Sequence, residues 1–185
     1  MSRANLPLKE TATHLVFGQG SFDAEAMFIG EAPGKNEDLQ GLPFVGAAGR
    51  LLNDLLKSIK LPREDVFITS ILKYRPPGNR NPSLEEIRAH TPYLVQQILI
   101  IEPKIIVPLG NFATRFMLSG LDIEEMMTIS GITHLHGVAK RVVFDHHEFT
   151  VLPMFHPAAA LYTGGRLKQD MLKDFLKLKK VLKQM

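Results

Sequence analysis

The 185-residue chain has no cysteine. That absence excludes disulfides, thiolate zinc sites, cysteine nucleophiles and cysteine-ligated iron–sulfur clusters together. Also missing is any apolar run near the roughly 20 residues that a membrane span needs. Met1 to Glu10 lack the apolar core and cleavage signal of a secretory peptide, so the expectation is a cytoplasmic protein with no membrane partner. There is no internal repeat and no low-complexity tract. Neither a Gly-x-x-x-x-Gly-Lys phosphate loop nor a Gly-x-Ser-x-Gly elbow occurs, which leaves a nucleotide-binding or small-molecule hydrolase reading with only a generic α/β pattern behind it.

What is present is ordinary for a globular domain: 45% hydrophobic and 22% charged residues, in a length that one core can serve. Residues 1–185 are read as a single domain. The net charge is +3, and residues 166–185 hold seven Lys/Arg against two Asp, which leaves the other 165 residues at −2. A surplus confined to a terminal helix reads first as a solvated face; it is compatible with nucleic acid without requiring it.

The stretch that organises the chain runs from Met27 to Leu56. A short apolar strand, Met27 to Ile29, meets Gly30-Glu31-Ala32-Pro33-Gly34, and after Glu37 and Asp38 comes Gly41-Leu42-Pro43-Phe44-Val45-Gly46, which opens a helix over 47–60. Four glycines and two prolines between Gly30 and Gly46 make a loop whose backbone can turn tightly or approach a ligand. In open α/β sheets, ligands bind beyond the carboxyl ends of the strands, which is where this loop starts. Further strands are expected at His14 to Phe17 (an edge), Val66 to Thr69, Lys104 to Leu109, and a hairpin of Arg141 to Phe144 with Phe149 to Met154 flanking Asp145-His146-His147. Helices are expected from Ser83, with a Glu86 capping box, to about Ile101, from Asn111 through Leu118, briefly within 121–129, and over Leu167 to Leu182. Residues 131–140 read as a loop. The βαβα alternation implies a mainly parallel sheet with helices on both faces.

Three strand-end loops then converge on one edge of the sheet: Gly30 to Gly46, Ser70 to Pro82, and His156 to Ala160. At this point the chain resembles the uracil-DNA glycosylase superfamily, specifically its iron–sulfur-containing family 4 branch. The residues that carry the resemblance are Gly30-Glu31-Ala32-Pro33-Gly34 with Glu37-Asp38, then Gly41 to Gly49, Lys73-Tyr74-Arg75-Pro76-Pro77-Gly78-Asn79-Arg80, and His156-Pro157-Ala158-Ala159-Ala160-Leu161, in matching order over roughly residues 7–183. The resemblance implies a three-layer α/β/α sandwich with a central four-stranded parallel sheet, in an enzyme that flips a deaminated base, uracil first, out of single- or double-stranded DNA and hydrolyses its N-glycosidic bond. It implies catalytic roles for Glu31, Glu37, Asn79 and His156, and a base-binding wall of Gly30, Ala32, Pro33, Gly34, Phe44 and Ser70. Lys73, Arg75 and Arg80 are then the expected phosphate contacts, and the protein is expected to act as a monomer. Outside this context, Phe44 would read equally as core, Glu31 and Glu37 as surface carboxylates, and His156 as a capping residue.

Two departures accompany the resemblance. The family holds a [4Fe–4S] cluster on four cysteines, and the aligned positions here are Arg3, Leu6, Tyr74 and His90, so no cofactor is expected. The family also places asparagine where this chain has Ser70. An amide offers a fixed donor and acceptor side by side, whereas a hydroxyl rotates and suits several base edges. The base preference therefore stays open, as does a non-catalytic DNA- or base-binding relative. A metal site is not expected: five of the seven histidines crowd the last third, but adjacent strand residues such as His146-His147 point to opposite faces.

Overall fold

The computed structural model describes residues 6–163 and 165–184. Its strands are β1 (Gln19–Gly20), β2 (Ala26–Gly30), β3 (Phe67–Ser70), β4 (Ile105–Pro108), β5 (Lys140–Phe144) and β6 (His147–Val151). They form one six-stranded sheet in the order β1-β3-β2-β4-β6-β5. The central four, β3-β2-β4-β6, are parallel as expected, and the antiparallel β1 and β5 extend the sheet at its two edges. Every residue of β2, β3 and β4 is buried, as strands covered on both faces must be.

Helices cover both faces. On one side α2 (Ala47–Ser58) and α7 (Gly165–Leu182) pack Leu52, Leu55, Leu56, Met171, Phe175 and Leu178 against Phe28 of β2. On the other, α3 (Leu84–Ile101) and α4 (Asn111–Leu118) pack Ile87, Leu94, Ile98 and Phe116 against Met27 and Ile29. The alternation of β2 side chains between two cores makes the three layers. The capping box on α3 forms as read: Ser83 Oγ accepts from Glu86 N, and Glu86 accepts from Ser83 N. No helix among the described residues is long and apolar enough to cross a membrane.

Several local readings need correction. His14 to Phe17 form no strand, because the Val16 N–H donates to Lys73 O and the Phe17 carbonyl accepts from the Thr69 hydroxyl and the Gln97 amide, so this backbone is spent outside a ladder. The hairpin turn is Asp145-His146, both at positive φ (46° and 66°), which draws His147 into β6. Residues 131–140 contain a single helical turn, α5 (Ile132–Leu135), while 121–129 yields only a 3-10 turn at Glu125–Thr128. Two helices had no expectation. In α1 (Lys35–Gln40) the only buried residue is the acidic Asp38, whose carboxylate accepts from the Thr13 and His14 N–H groups, so there is no apolar stripe to read. Likewise α6 (Pro157–Thr163) buries only Pro157.

Candidate active site

The register of β2 on β3 pairs Gly30 with Ser70, so both strands deliver their last residue to the same level. Ile71 N then donates to Gly30 O and Leu72 N to Glu31 O, each at 3.0 Å, which ties the two loops together just past the sheet. Beyond them opens a cavity of ≈ 360 Å³, lined by Glu31, Ala32, Pro33, Gly34, Glu37, Phe44, Ser70, Asn79, Arg80 and His156 among others. That is a size suited to one flat heterocycle.

Phe44 sits on its wall at φ +52°, a left-handed conformation rare for a bulky residue, and is only 8% exposed. Two features hold it there. A Cβ at Gly49 would lie 1.8 Å from Phe44 O, so only glycine lets the start of α2 pass beneath the loop. Glu37, on α1, accepts from the Val45 and Gly46 N–H groups at 2.9 and 2.8 Å. Glu37, expected among the catalytic groups, lines the cavity with its Oε1 committed to shaping the Phe44 loop. Gly30 lies behind the aromatic ring, where a Cβ would meet it at 2.8 Å.

His156 stands beside Phe44, ring centroids 5.6 Å apart and planes 30° from parallel. Its Nδ1 accepts the Ala158 N–H at 3.1 Å, which leaves the hydrogen on Nε2. Burial lowers its pKa to about 4, against a smaller opposing pull from the Glu37 carboxylate, so at neutral pH the ring is an uncharged N–H donor. Glu31 is half-buried, and desolvation pushes its carboxyl above the usual carboxylate range. Ser70 is buried at the edge of the same cavity. A carboxylate of raised basicity, a neutral donor and an aromatic face around one cavity can activate water, take charge from a leaving group and hold a planar ring.

The cations divide. Arg75 Nε donates to Asn79 Oδ1 at 2.7 Å beside the cavity mouth. Arg80 forks onto Glu86 at 2.5 and 2.8 Å with its guanidinium still half-exposed. Lys73 does not belong with them. It is fully buried, its ammonium bonded to Ser70 O, Thr69 Oγ1 and Gln97 Oε1, and burial pushes it well below the ordinary lysine range. No phosphate can reach it. A lysine in a Lys-Tyr-Arg run reads as surface, whereas here the chain after β3 turns inward and carries Lys73 with it. Thr69 and Gln97, its partners, carried no motif signal, whereas Pro76 and Ala158, which also line the cavity, lay inside the matching motifs without an expected site role.

The residues aligned with the family's cluster ligands do not fit that group. Arg3 lies outside the described residues. Leu6 and Tyr74 are buried, and His90 is fully buried with both ring nitrogens committed: Nδ1 accepts the Lys73 N–H at 3.1 Å and Nε2 donates to Pro7 O at 3.1 Å. An apolar side chain, a phenol and a doubly bonded imidazole supply no thiolate. Among the described residues no group of three or more His, Asp or Glu is placed to hold a metal ion.

Comparison with known proteins agrees with this geometry. A family model described as the uracil DNA glycosylase superfamily matches residues 17–179. The chain is 44% identical over 178 residues to the type-4 uracil-DNA glycosylase of Archaeoglobus fulgidus, covering 96% of this chain and 87% of that protein. It is 46% identical over 170 residues to the type-4 enzyme of Sulfurisphaera tokodaii, covering 91% and 75%. Identity to the type-5 uracil-DNA glycosylase of Pyrobaculum aerophilum is 27% over 173 residues, covering 85% and 72%.

Proposed function

The chain belongs to the uracil-DNA glycosylase superfamily, and from that premise we propose that it is a DNA-repair enzyme that hydrolyses the N-glycosidic bond of uracil flipped out of DNA. The observation that carries the reading is the neutral His156, its Nε2–H unspent beside Phe44 and Glu31 at one base-sized cavity. The flipped base lies against Phe44, and Ser70 meets its edge. Glu31 orients a water below the sugar carbon and takes its proton as the water oxygen bonds to C1′. The C1′–N1 bond breaks, its electron pair leaves on the base, and His156 Nε2–H donates to the base oxygen that gains negative charge. The product is an abasic site.

Asn79 shapes the cavity mouth while Arg75 and Arg80 take phosphates of the flanking strand. The enzyme works as a monomer on single- or double-stranded DNA and without an iron–sulfur cluster, since Leu6, Tyr74 and His90 fill the space with packed, hydrogen-bonded side chains. The hydroxyl at Ser70 supports a second reading limited to base preference, in which hypoxanthine or xanthine competes with uracil.

Oligonucleotides bearing uracil, hypoxanthine or xanthine, incubated with the protein and then treated with alkali, test both readings. Strand scission at uracil is expected. No scission at any of the three bases would leave a DNA-binding relative without turnover.

A further inference from the structure

We propose that Lys73 is a positioning residue whose buried charge stabilises the departing base from behind Ser70, without touching substrate. This rests on the glycosylase reading and deepens it. The side chain is wholly excluded from solvent, and its Nζ lies 2.6 Å from Ser70 O, 2.6 Å from Gln97 Oε1 and 2.8 Å from Thr69 Oγ1. All three partners accept. The Thr69 hydroxyl has one hydrogen, placed to go to Phe17 O at 2.8 Å or to Gln97 Oε1 at 3.3 Å. The Gln97 amide is oriented by its own Nε2–H, which donates to Phe17 O at 2.9 Å. A neutral amine carries two hydrogens, one short of three acceptors; with the Thr69 hydrogen spent on Phe17 or Gln97, the group is the ammonium, held against the downward push of burial.

Among the described residues no carboxylate forms an ion pair with this ammonium. Glu86, the acid on the adjoining helix, is taken up by Arg80. A buried cation held only by neutral dipoles is costly to keep. Its field is also weakly screened, because protein rather than water separates it from the cavity. That field falls on the leaving-group side, since Ser70, whose carbonyl Lys73 holds, meets the base edge while Glu31 serves the sugar carbon. As C1′–N1 breaks and the electron pair departs with the base, negative charge grows where a fixed cation lowers its energy.

The test compares single-turnover cleavage of uracil and of 5-fluorouracil in the same oligonucleotide. Fluorine withdraws electrons and makes the base a better leaving group, so it needs less help from the protein. Lys73→Met is expected to slow uracil release by about 10- to 100-fold, below the roughly 10²- to 10³-fold cost of deleting a direct donor, and to slow 5-fluorouracil release several-fold less. Gln97→Glu keeps the volume and sets a carboxylate against the ammonium, while Thr69 still satisfies Phe17 O; the same selective loss is expected. Equal slowing of the two bases, unchanged rates, or failure of both variants to fold would overturn the inference. Wild-type protein that releases neither base would instead overturn the glycosylase reading.

Discussion

Two histidines, His156 half-buried and His90 fully buried, stand near the carboxyl ends of β6 and β3, and they differ in one hydrogen bond. His156 gives up Nδ1 to the Ala158 N–H and keeps Nε2–H for the cavity. His90 gives up both nitrogens, one to the Lys73 N–H and the other to Pro7 O. Burial is the leading cause that holds each below the ordinary histidine pKa. The two rings therefore share a charge state but not a job. A neutral imidazole with an unspent donor beside a cavity is equipped for chemistry, whereas one with both nitrogens spent is a cross-link between segments. The same contrast separates their regions: around His156 the backbone is held open by glycines and Glu37, while around His90 the corner is filled by Leu6 and Tyr74, the latter edge-on to the ring at 6.1 Å.

The largest expected effect breaks the comparison at the cavity. His156→Ala should lower single-turnover cleavage of uracil by about 10² to 10³, the usual cost of one donor to developing negative charge, with thermal unfolding little changed. A rate close to wild type would remove His156 from the reaction. Next in size is Ser70→Asn, which adds a paired donor and acceptor at a partly shielded base edge. An unmatched polar group there costs about 1 to 3 kcal/mol, so uracil cleavage should rise roughly 5- to 150-fold. Hypoxanthine, whose edge differs, should gain little. Equal gains on both bases, or none, would take Ser70 out of base recognition.

The cavity side of the comparison was largely legible in the sequence, and the filled side was not. Gly30 to Gly46 announced a loop built from main chain, and the strand-end loops with their motifs placed Glu31, Phe44 and Ser70 around it. Position along the chain could not show which polar groups would be spent on the protein itself. Glu37 and Glu31 read alike, yet only Glu37 has two backbone N–H groups on its Oε1. Lys73 and Arg75 also read alike, and the inward turn after β3 separates them by complete burial. Helices α1 and α6 escaped notice because neither carries an apolar stripe, the signal on which helix reading depends.

A smaller effect sharpens the other side. With its folded pKa depressed, His90 supports stability fully above its unfolded value near 6.5. It loses that support as pH falls toward its folded value, because the unfolded chain binds the proton first. His156 adds to the same acid loss down to about 4. His90→Gln, whose amide can accept from Lys73 N and donate to Pro7 O but cannot titrate, should flatten the fall in unfolding midpoint between about pH 6.5 and pH 4 and leave uracil cleavage at neutral pH near wild type. An unaltered acid slope would deny His90 its place as a neutral cross-link.

The smallest effect concerns the cations beside the two regions, and it turns on where each charge is already spent. Among the described residues Arg75 bonds only the neutral Asn79 amide, through Nε, which leaves the rest of its guanidinium and its whole charge available to a phosphate. Arg80 leaves half its guanidinium exposed, but Glu86 already neutralises it. Lys73 is sealed inside. Each phosphate neutralised releases counterions and adds about 0.7 (single strand) to 0.9 (duplex) to the log–log salt slope of binding. Arg75→Ala should therefore reduce that slope by about one such step, Arg80→Ala by less, and Lys73→Met not at all, although Lys73→Met slows uracil release. The exposed Lys173, Lys177 and Lys180 of α7 lie on the face away from its packed stripe and should contribute less than Arg75. Titration of each variant on one oligonucleotide across a salt series reads all of this in a single quantity. A loss of slope in Lys73→Met, or a larger loss from the α7 lysines than from Arg75, would contradict the division of the cations by what already holds them.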